Sequence, residues 1–103
     1  MTTENEPVSE DDYSLVENQV AGRFELHRDG EVLSFADYFE RSNGVVAIPH
    51  VETSPKHRRQ GNSSRLLDRV LINLRETDRK VLPLCGVAVR HVSGDAANQD
   101  LLA

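Results

Sequence analysis

The sequence predicts an α+β domain: an antiparallel meander of three strands, a central helix, a further strand parallel to the third, and a short C-terminal helix. Three observations predict it. Extended runs before residue 52 are separated by tight-turn signals, leucine and valine recur at spacings of three and four from Leu66 to Leu74, and an extended run resumes at Lys80.

Residues 20–27 alternate, with Phe24 and Leu26 on one side and Arg23, Glu25 and His27 on the other, as a half-buried strand requires. Asp29-Gly30 follows, a pair that tolerates the positive φ of a two-residue hairpin. Residues 31–40 return through Val32, Leu33, Phe35, Tyr38 and Phe39, and Arg41-Ser42-Asn43-Gly44 turns the chain into a third run, 45–51. Pro49 inside that run has no N–H for the ladder, so a bulge or an edge is expected there. Leu66, Leu67, Val70, Leu71 and Leu74 form one helical stripe, with Arg65, Asp68, Arg69, Arg75 and Glu76 on the wet side. Asn62 or Ser63 is the expected N-cap. Residues 80–85 read as extended, His27 and His91 as members of extended runs without a role, and 95–102 as the short last helix. A helix joining two strands favours a parallel crossover.

With 103 residues the chain has room for one domain. The net charge of −5 comes from Glu4, Glu6, Glu10, Asp11 and Asp12, and from Leu15 onward 12 acids balance 12 Lys and Arg. Residues 1–14 therefore read as a disordered acidic tail and 15–103 as the folded domain. The absence of a long apolar run and of a basic, hydrophobic leader predicts a cytoplasmic protein without membrane contact. The single cysteine, Cys85, has no partner for a disulfide and no zinc-type spacing around it. It is either a small buried hydrophobe or a working thiol.

Pro55-Lys56-His57-Arg58-Arg59-Gln60-Gly61-Asn62-Ser63-Ser64 is a glycine-bearing basic loop ahead of the helix, the layout of an anion cradle. Helix starts expose N–H groups and partial positive charge, which a phosphate fits. The loop lacks the Gly-Lys-Ser/Thr of a nucleotide P-loop and the G-x-G-x-x-G of dinucleotide folds, which argues against mononucleotide hydrolysis. His57 reads as a phosphate neighbour or an exposed residue, and Tyr38 as core.

Arg58-x-x-Gly61-x-Ser63 between a strand and a helix resembles the R/Q-x-x-G-x-G/A motif of the GNAT superfamily of acetyl-CoA-dependent N-acetyltransferases. The stretches 50–61 and 83–88, from His50 and from Pro83-Leu84-Cys85, are similar to the minimal single-domain branch of that superfamily, and the resemblance runs from about Val16 to Leu102. Arg59 and Ser63 stand where the branch carries glycine or alanine, and Arg59 calls for ordinary backbone there; Val87 replaces a tyrosine, and Asp95-Ala96-Ala97-Asn98 a His-Pro-Glu-Tyr-like segment.

A monomer is the expected state, and the resemblance implies a GNAT-like domain that moves an acetyl group from acetyl-CoA to an amine. It implies that Val51, Thr53, Arg58, Arg59, Gln60, Gly61, Asn62, Ser63 and Ser64 bind the cofactor, with His50 as base and Cys85 as acetyl acceptor or proton donor. Backbone N–H groups near residues 48–51 are candidates for holding the thioester oxygen. For His50 and Cys85 a packing role stands beside the catalytic one. An acyl-CoA-binding module without catalysis is the alternative, prompted by Val87 and the altered C-terminus. A nucleic-acid binder using Lys56, Arg58, Arg59, Arg65, Arg69, Arg75, Arg79 and Lys80 is a third reading, disfavoured by the acidic tail and the few aromatics, and no nucleic-acid partner is expected.

Overall fold

The computed structural model describes residues 10–103. Five strands form one mixed sheet in sequence order: β1 (Ser14–Asn18), β2 (Arg23–Arg28), β3 (Glu31–Arg41), β4 (Val45–Thr53) and β5 (Lys80–Pro83). The first four pair antiparallel, and β5 runs parallel to β4, as a crossover through the helix α1 (Asn62–Glu76) requires. A second helix, α2 (Gly86–Ser93), and a 3-10 segment, Ala96–Leu101, complete the chain.

The meander thus has one more strand than the three expected. β1 lies at the sheet edge, with Leu15 opposite Leu26 and Glu17 opposite Phe24. Of the expected tail, residues 1–9 lie outside the described residues. Glu10–Asp12 form a 3-10 turn, Tyr13 is buried, and Ser14 opens β1.

Leu66, Leu67, Val70, Leu71 and Leu74 are buried on α1 and meet Phe24, Leu26, Ala36, Val46 and Ile48 of the sheet in one apolar cluster. Each of these leucine, valine, isoleucine and phenylalanine side chains contributes about 1.5–3 kcal/mol relative to exposure. Ala88 and Val92 of α2, four residues apart, join the same cluster. Both helices therefore cover one face of the sheet, and the opposite face is left to strand side chains.

The expected extended character around His91 is overturned, because residues 86–93 are helical. Val87, Val89 and Val92 are β-branched and Val87-x-Val89 alternates, so local preference pointed to a strand. Burial of Ala88 and Val92 decided for the helix. Gly94 ends it: a Cβ there would stand 2.3 Å from the Arg90 carbonyl oxygen, so only glycine fits. The expected final helix is the 3-10 segment Ala96–Leu101, started by Asp95, whose carboxylate accepts from the Ala97 N–H at 3.0 Å.

Pro49 behaves as its missing N–H predicts. The β3–β4 register jumps from Asp37 opposite His50 to Phe39 opposite Ala47, leaving Pro49 in a bulge. Tyr38, at the same irregularity, packs its ring 4.7 Å from Phe24 and donates its O–H to Glu17 at 2.8 Å. Burial and the Glu17 hydrogen bond push that hydroxyl up to about 12, so it remains a donor.

Candidate functional site

The chain leaves β4 through a 3-10 turn, Pro55–His57, and reaches α1 by a loop with two left-handed residues, Arg59 (φ 63) and Gly61 (φ 76). Gly61 is the N-cap residue, in place of the expected Asn62 or Ser63, and among the described residues no side chain caps the first turn of α1. A left-handed residue needs no strain if it is glycine, which is what Gly61 supplies. Arg59 departs from the ordinary backbone expected of it, and an L side chain in that region costs about 1–2 kcal/mol.

Asn62 faces inward, 3% exposed. Its Nδ2 donates to the His57 carbonyl at 3.1 Å. Arg65 Nη1 donates to the Gln60 carbonyl at 2.6 Å and to Asn62 Oδ1 at 3.2 Å. Ser63 and Ser64 instead line a cleft of about 320 Å3 with Leu67 of α1 and Val87, Arg90 and His91 of α2.

Among the described residues, the side chains of Arg58, Arg59 and Arg90 make no hydrogen bond or ion pair. The other basic groups of the window 56–80 are engaged within the chain. Lys56 pairs with Glu31, Arg65 and Arg69 with Glu10, Arg75 with Asp100, and Arg79 with Glu17 and Glu40, while Lys80 donates to the Asp100 carbonyl. A stripe of free cations for a nucleic-acid backbone is therefore not what this window presents. What it presents is local positive charge around one uncapped helix start.

β4 and β5 part beside this loop. Their pairing ends at Ile48 opposite Pro83, with a last bond from the Leu84 N–H to the Ile48 carbonyl at 2.9 Å, after which β4 continues to Thr53 without β5. The opening is a wedge walled by a free strand edge, with the uncapped start of α1 at one end and the start of α2 at the other. The family model for GCN5-related N-acetyl-transferases matches residues 23–101.

The chain belongs to that family.

Its fold is similar to that of a GCN5-like protein from Staphylococcus aureus assigned to the N-acetyltransferases and solved by NMR, at TM-score 0.67 and 20% identity over 89% of each chain. No curated protein matches. Within this N-acetyltransferase-family domain the wedge divides the sequence-derived candidates between two faces. Val51 packs against the helix-side core, and Thr53, two residues on, shares that face and lies 3.1 Å from the Ser34 hydroxyl. Cys85 also packs against that core. It is the N-cap residue of α2, and its Sγ accepts from the Ala88 N–H at 3.4 Å. So Val51, Thr53, Cys85 and the basic loop share one side of the sheet.

His50 points to the other side. It is half exposed, its Nε2 is 3.0 Å from Glu52 Oε1, and its ring centroid is 6.2 Å from that of Phe35. No contact joins His50 to Cys85 among the described residues, so the helix start, and not the imidazole, is the neighbour of that thiol.

The open face around His50 is polar. Arg23, Asp37 and His50 stand in one cross-strand row and Glu25, Phe35 and Glu52 in the next. Burial raises the Glu25 carboxyl, but hydrogen bonds from His27 at 2.8 Å, Arg23 at 2.7 Å and Asn18 at 3.3 Å outweigh it and hold the group below its ordinary value. Glu25 is therefore a buried carboxylate in this N-acetyltransferase-family sheet, fully supplied with donors.

Two placements were not legible in the loop sequence. His57, expected to be a phosphate neighbour or exposed, is largely buried, with Nε2 3.3 Å from Glu31 Oε1 at ion-pair distance but without hydrogen-bond geometry. Arg90 was missed altogether. It reaches the cleft only because residues 86–93 coil into α2, so the signal that would have found it was the 88/92 apolar pair. Among the described residues no helix is long and apolar enough to cross a membrane.

Proposed function

We propose that this domain binds acetyl-CoA and transfers its acetyl group to an amine, with the cofactor on the helix-covered side of the wedge and the amine on the open face. The observation that carries this reading is the uncapped start of α1 at Gly61, with Arg58 and Arg59 in the loop that leads to it and Arg90 in the cleft beside Ser63 and Ser64. Coenzyme A brings a diphosphate and a further phosphate, and helix-start amides with nearby guanidinium groups are suited to such an anion. A residue with a Cβ at Gly61 would pay for the same backbone with strain, while the space itself is open, Arg65 Nη1 at 3.7 Å being the nearest neighbour.

In this arrangement the Gly61, Asn62, Ser63 and Ser64 N–H groups hold the diphosphate, with Gln60 between the two left-handed residues shaping the turn. Arg58, Arg59 and Arg90 supply charge. The free edge of β4, from His50 to Thr53, lies alongside the acyl arm, with Val51 and Thr53 on the cofactor side. Backbone N–H groups near the Pro49 bulge are available to the thioester oxygen as it gains charge.

The amine nitrogen must be neutral to attack the thioester carbon. With Nε2–H donating to Glu52, Nδ1 of His50 is the site that takes the proton. The C–S bond then breaks, and the departing thiolate takes a proton from Cys85 Sγ–H, whose conjugate base is held by the Ala88 N–H at the start of α2. Separation of His50 and Cys85 by the sheet suits an amine and a thioester that arrive from opposite faces and meet in the gap.

The decisive experiment is calorimetric titration with acetyl-CoA followed by a transfer assay against a panel of amines, in the wild type and in His50→Ala and Cys85→Ala. Binding with transfer lost in both variants is the expected result. Binding without transfer to any amine would favour the non-catalytic acyl-CoA module, for which Val87 in the cleft, in place of a hydroxyl-bearing tyrosine, is the favouring observation. No binding removes both readings.

A further inference from the structure

An anion-binding loop has to present its N–H groups and keep its carbonyl oxygens away, because each carbonyl repels the ligand it sits beside. Two carbonyls of the loop between β4 and α1, those of His57 and Gln60, precede the uncapped amides in the chain. Both are occupied by side chains that come from α1 itself. Asn62 Nδ2 holds the His57 oxygen at 3.1 Å, and Arg65 Nη1 holds the Gln60 oxygen at 2.6 Å while gripping Asn62 Oδ1 at 3.2 Å. Arg65 is fixed in turn from the N-terminal side, with its Nε 3.2 Å from Glu10 Oε2 and its guanidinium 4.6 Å from the Tyr13 ring centroid.

Asn62 is the buried polar residue of the first helical turn, and both Nδ2 and Oδ1 of its amide are hydrogen-bonded, as burial of a polar group requires. It neither caps the helix nor faces the cleft. Among the described residues its side chain bonds to the loop backbone and to Arg65.

We propose that Asn62 and Arg65 are positioning residues of the cofactor loop: they turn the His57 and Gln60 carbonyls away from the diphosphate, and Arg65 acts through this two-pronged hydrogen bond, not through its charge. The proposal rests on the acetyl-CoA reading above. It also gives the Glu10–Tyr13 segment, which precedes the family-matched residues 23–101, a role in holding the loop.

The test uses the full chain with three probes: coenzyme A, inorganic pyrophosphate, and pantetheine, which lacks the phosphates. Arg65→Lys keeps the charge and loses the planar fork. Its affinity for coenzyme A and for pyrophosphate should fall about tenfold, the equivalent of one charge-assisted hydrogen bond. Pantetheine-induced amide shifts should be those of the wild type. Asn62→Ala should show the same selective loss, and Arg65→Lys covers the case in which that variant does not fold. Unchanged affinity in Arg65→Lys, or an equal loss for pantetheine, would overturn the proposal. Wild-type protein that ignores coenzyme A would instead bring down the cofactor reading on which it stands.

Discussion

Arg79 is the cation whose removal should cost the fold most. Its guanidinium takes both Glu17 carboxylate oxygens at 3.0 and 3.1 Å, Glu40 at 3.1 Å, Asn73 at 2.8 Å and the Thr77 hydroxyl at 2.8 Å, with the Phe24 ring centroid 6.0 Å away. The side chains of Arg79 and Glu17 are 14% and 19% exposed, so the pair is mostly out of water. Arg79→Met leaves Glu17 beside the core with the Tyr38 hydroxyl and the Gln19 side chain as its remaining donors. Breaking a fully buried pair costs about 3–5 kcal/mol, and the residual exposure brings this to about 2–4 kcal/mol. For a domain of this size the melting temperature should fall on the order of 10–20 °C. The pH dependence gives the sharper check. Hydrogen bonds from Arg79 are the largest cause holding the Glu17 carboxyl below its ordinary value of 4.5. A carboxyl with a lowered folded value contributes stability that is present above its unfolded value and is lost as pH falls through the folded one. Urea titrations followed by circular dichroism should therefore show the full wild-type advantage over Arg79→Met at pH 7 and a shrinking one below about pH 4.5. The lowered carboxyls of Glu10, Glu25, Glu31 and Asp100 are common to both proteins and cancel in the difference. An equal difference at pH 7 and pH 3 would refute this account of the network.

Gly94→Ala must push its Cβ against the Arg90 carbonyl, and should cost about 1–3 kcal/mol in the same titrations. Arg90→Met should leave the melting temperature unchanged, since no partner is lost, while lowering coenzyme A affinity and flattening its dependence on salt in calorimetry. Gly61→Val puts a β-branched residue at φ 76, which should cost at least about 1–2 kcal/mol and weaken coenzyme A binding further than the stability loss explains, as read by parallel denaturation and titration.

Much of the framework was written in local pattern. The Asp29-Gly30 hairpin, the bulge that Pro49 imposes, the apolar stripe of α1 and the parallel return of β5 each follow from residues close together in the chain, whose steric and burial preferences agree. The glycine turn into α1 was legible as well, because Gly61 and its basic neighbours follow one another along the sequence, whereas the left-handed Arg59 and the largely buried His57 were not. β1 was not. Leu15-Val16-Glu17 places a charge on the inner side of an edge strand, and that is stable only with Arg79, 62 residues away. α2 was hidden for a related reason, since its valines favour a strand and only burial of Ala88 and Val92 selects the helix.

The sequence by itself determined the strand-loop-helix connection from β4 to α1 and the family pattern around it, since both depend on backbone preferences and spacing within a few residues. Tertiary structure alone decided that His50 and Cys85 stand on opposite faces of the sheet, that Arg90 enters the cleft, and that Arg59 adopts a left-handed backbone. Those outcomes depend on where β4 and β5 part and how α2 docks, which are contests between distant groups for burial and hydrogen bonds that no local pattern records.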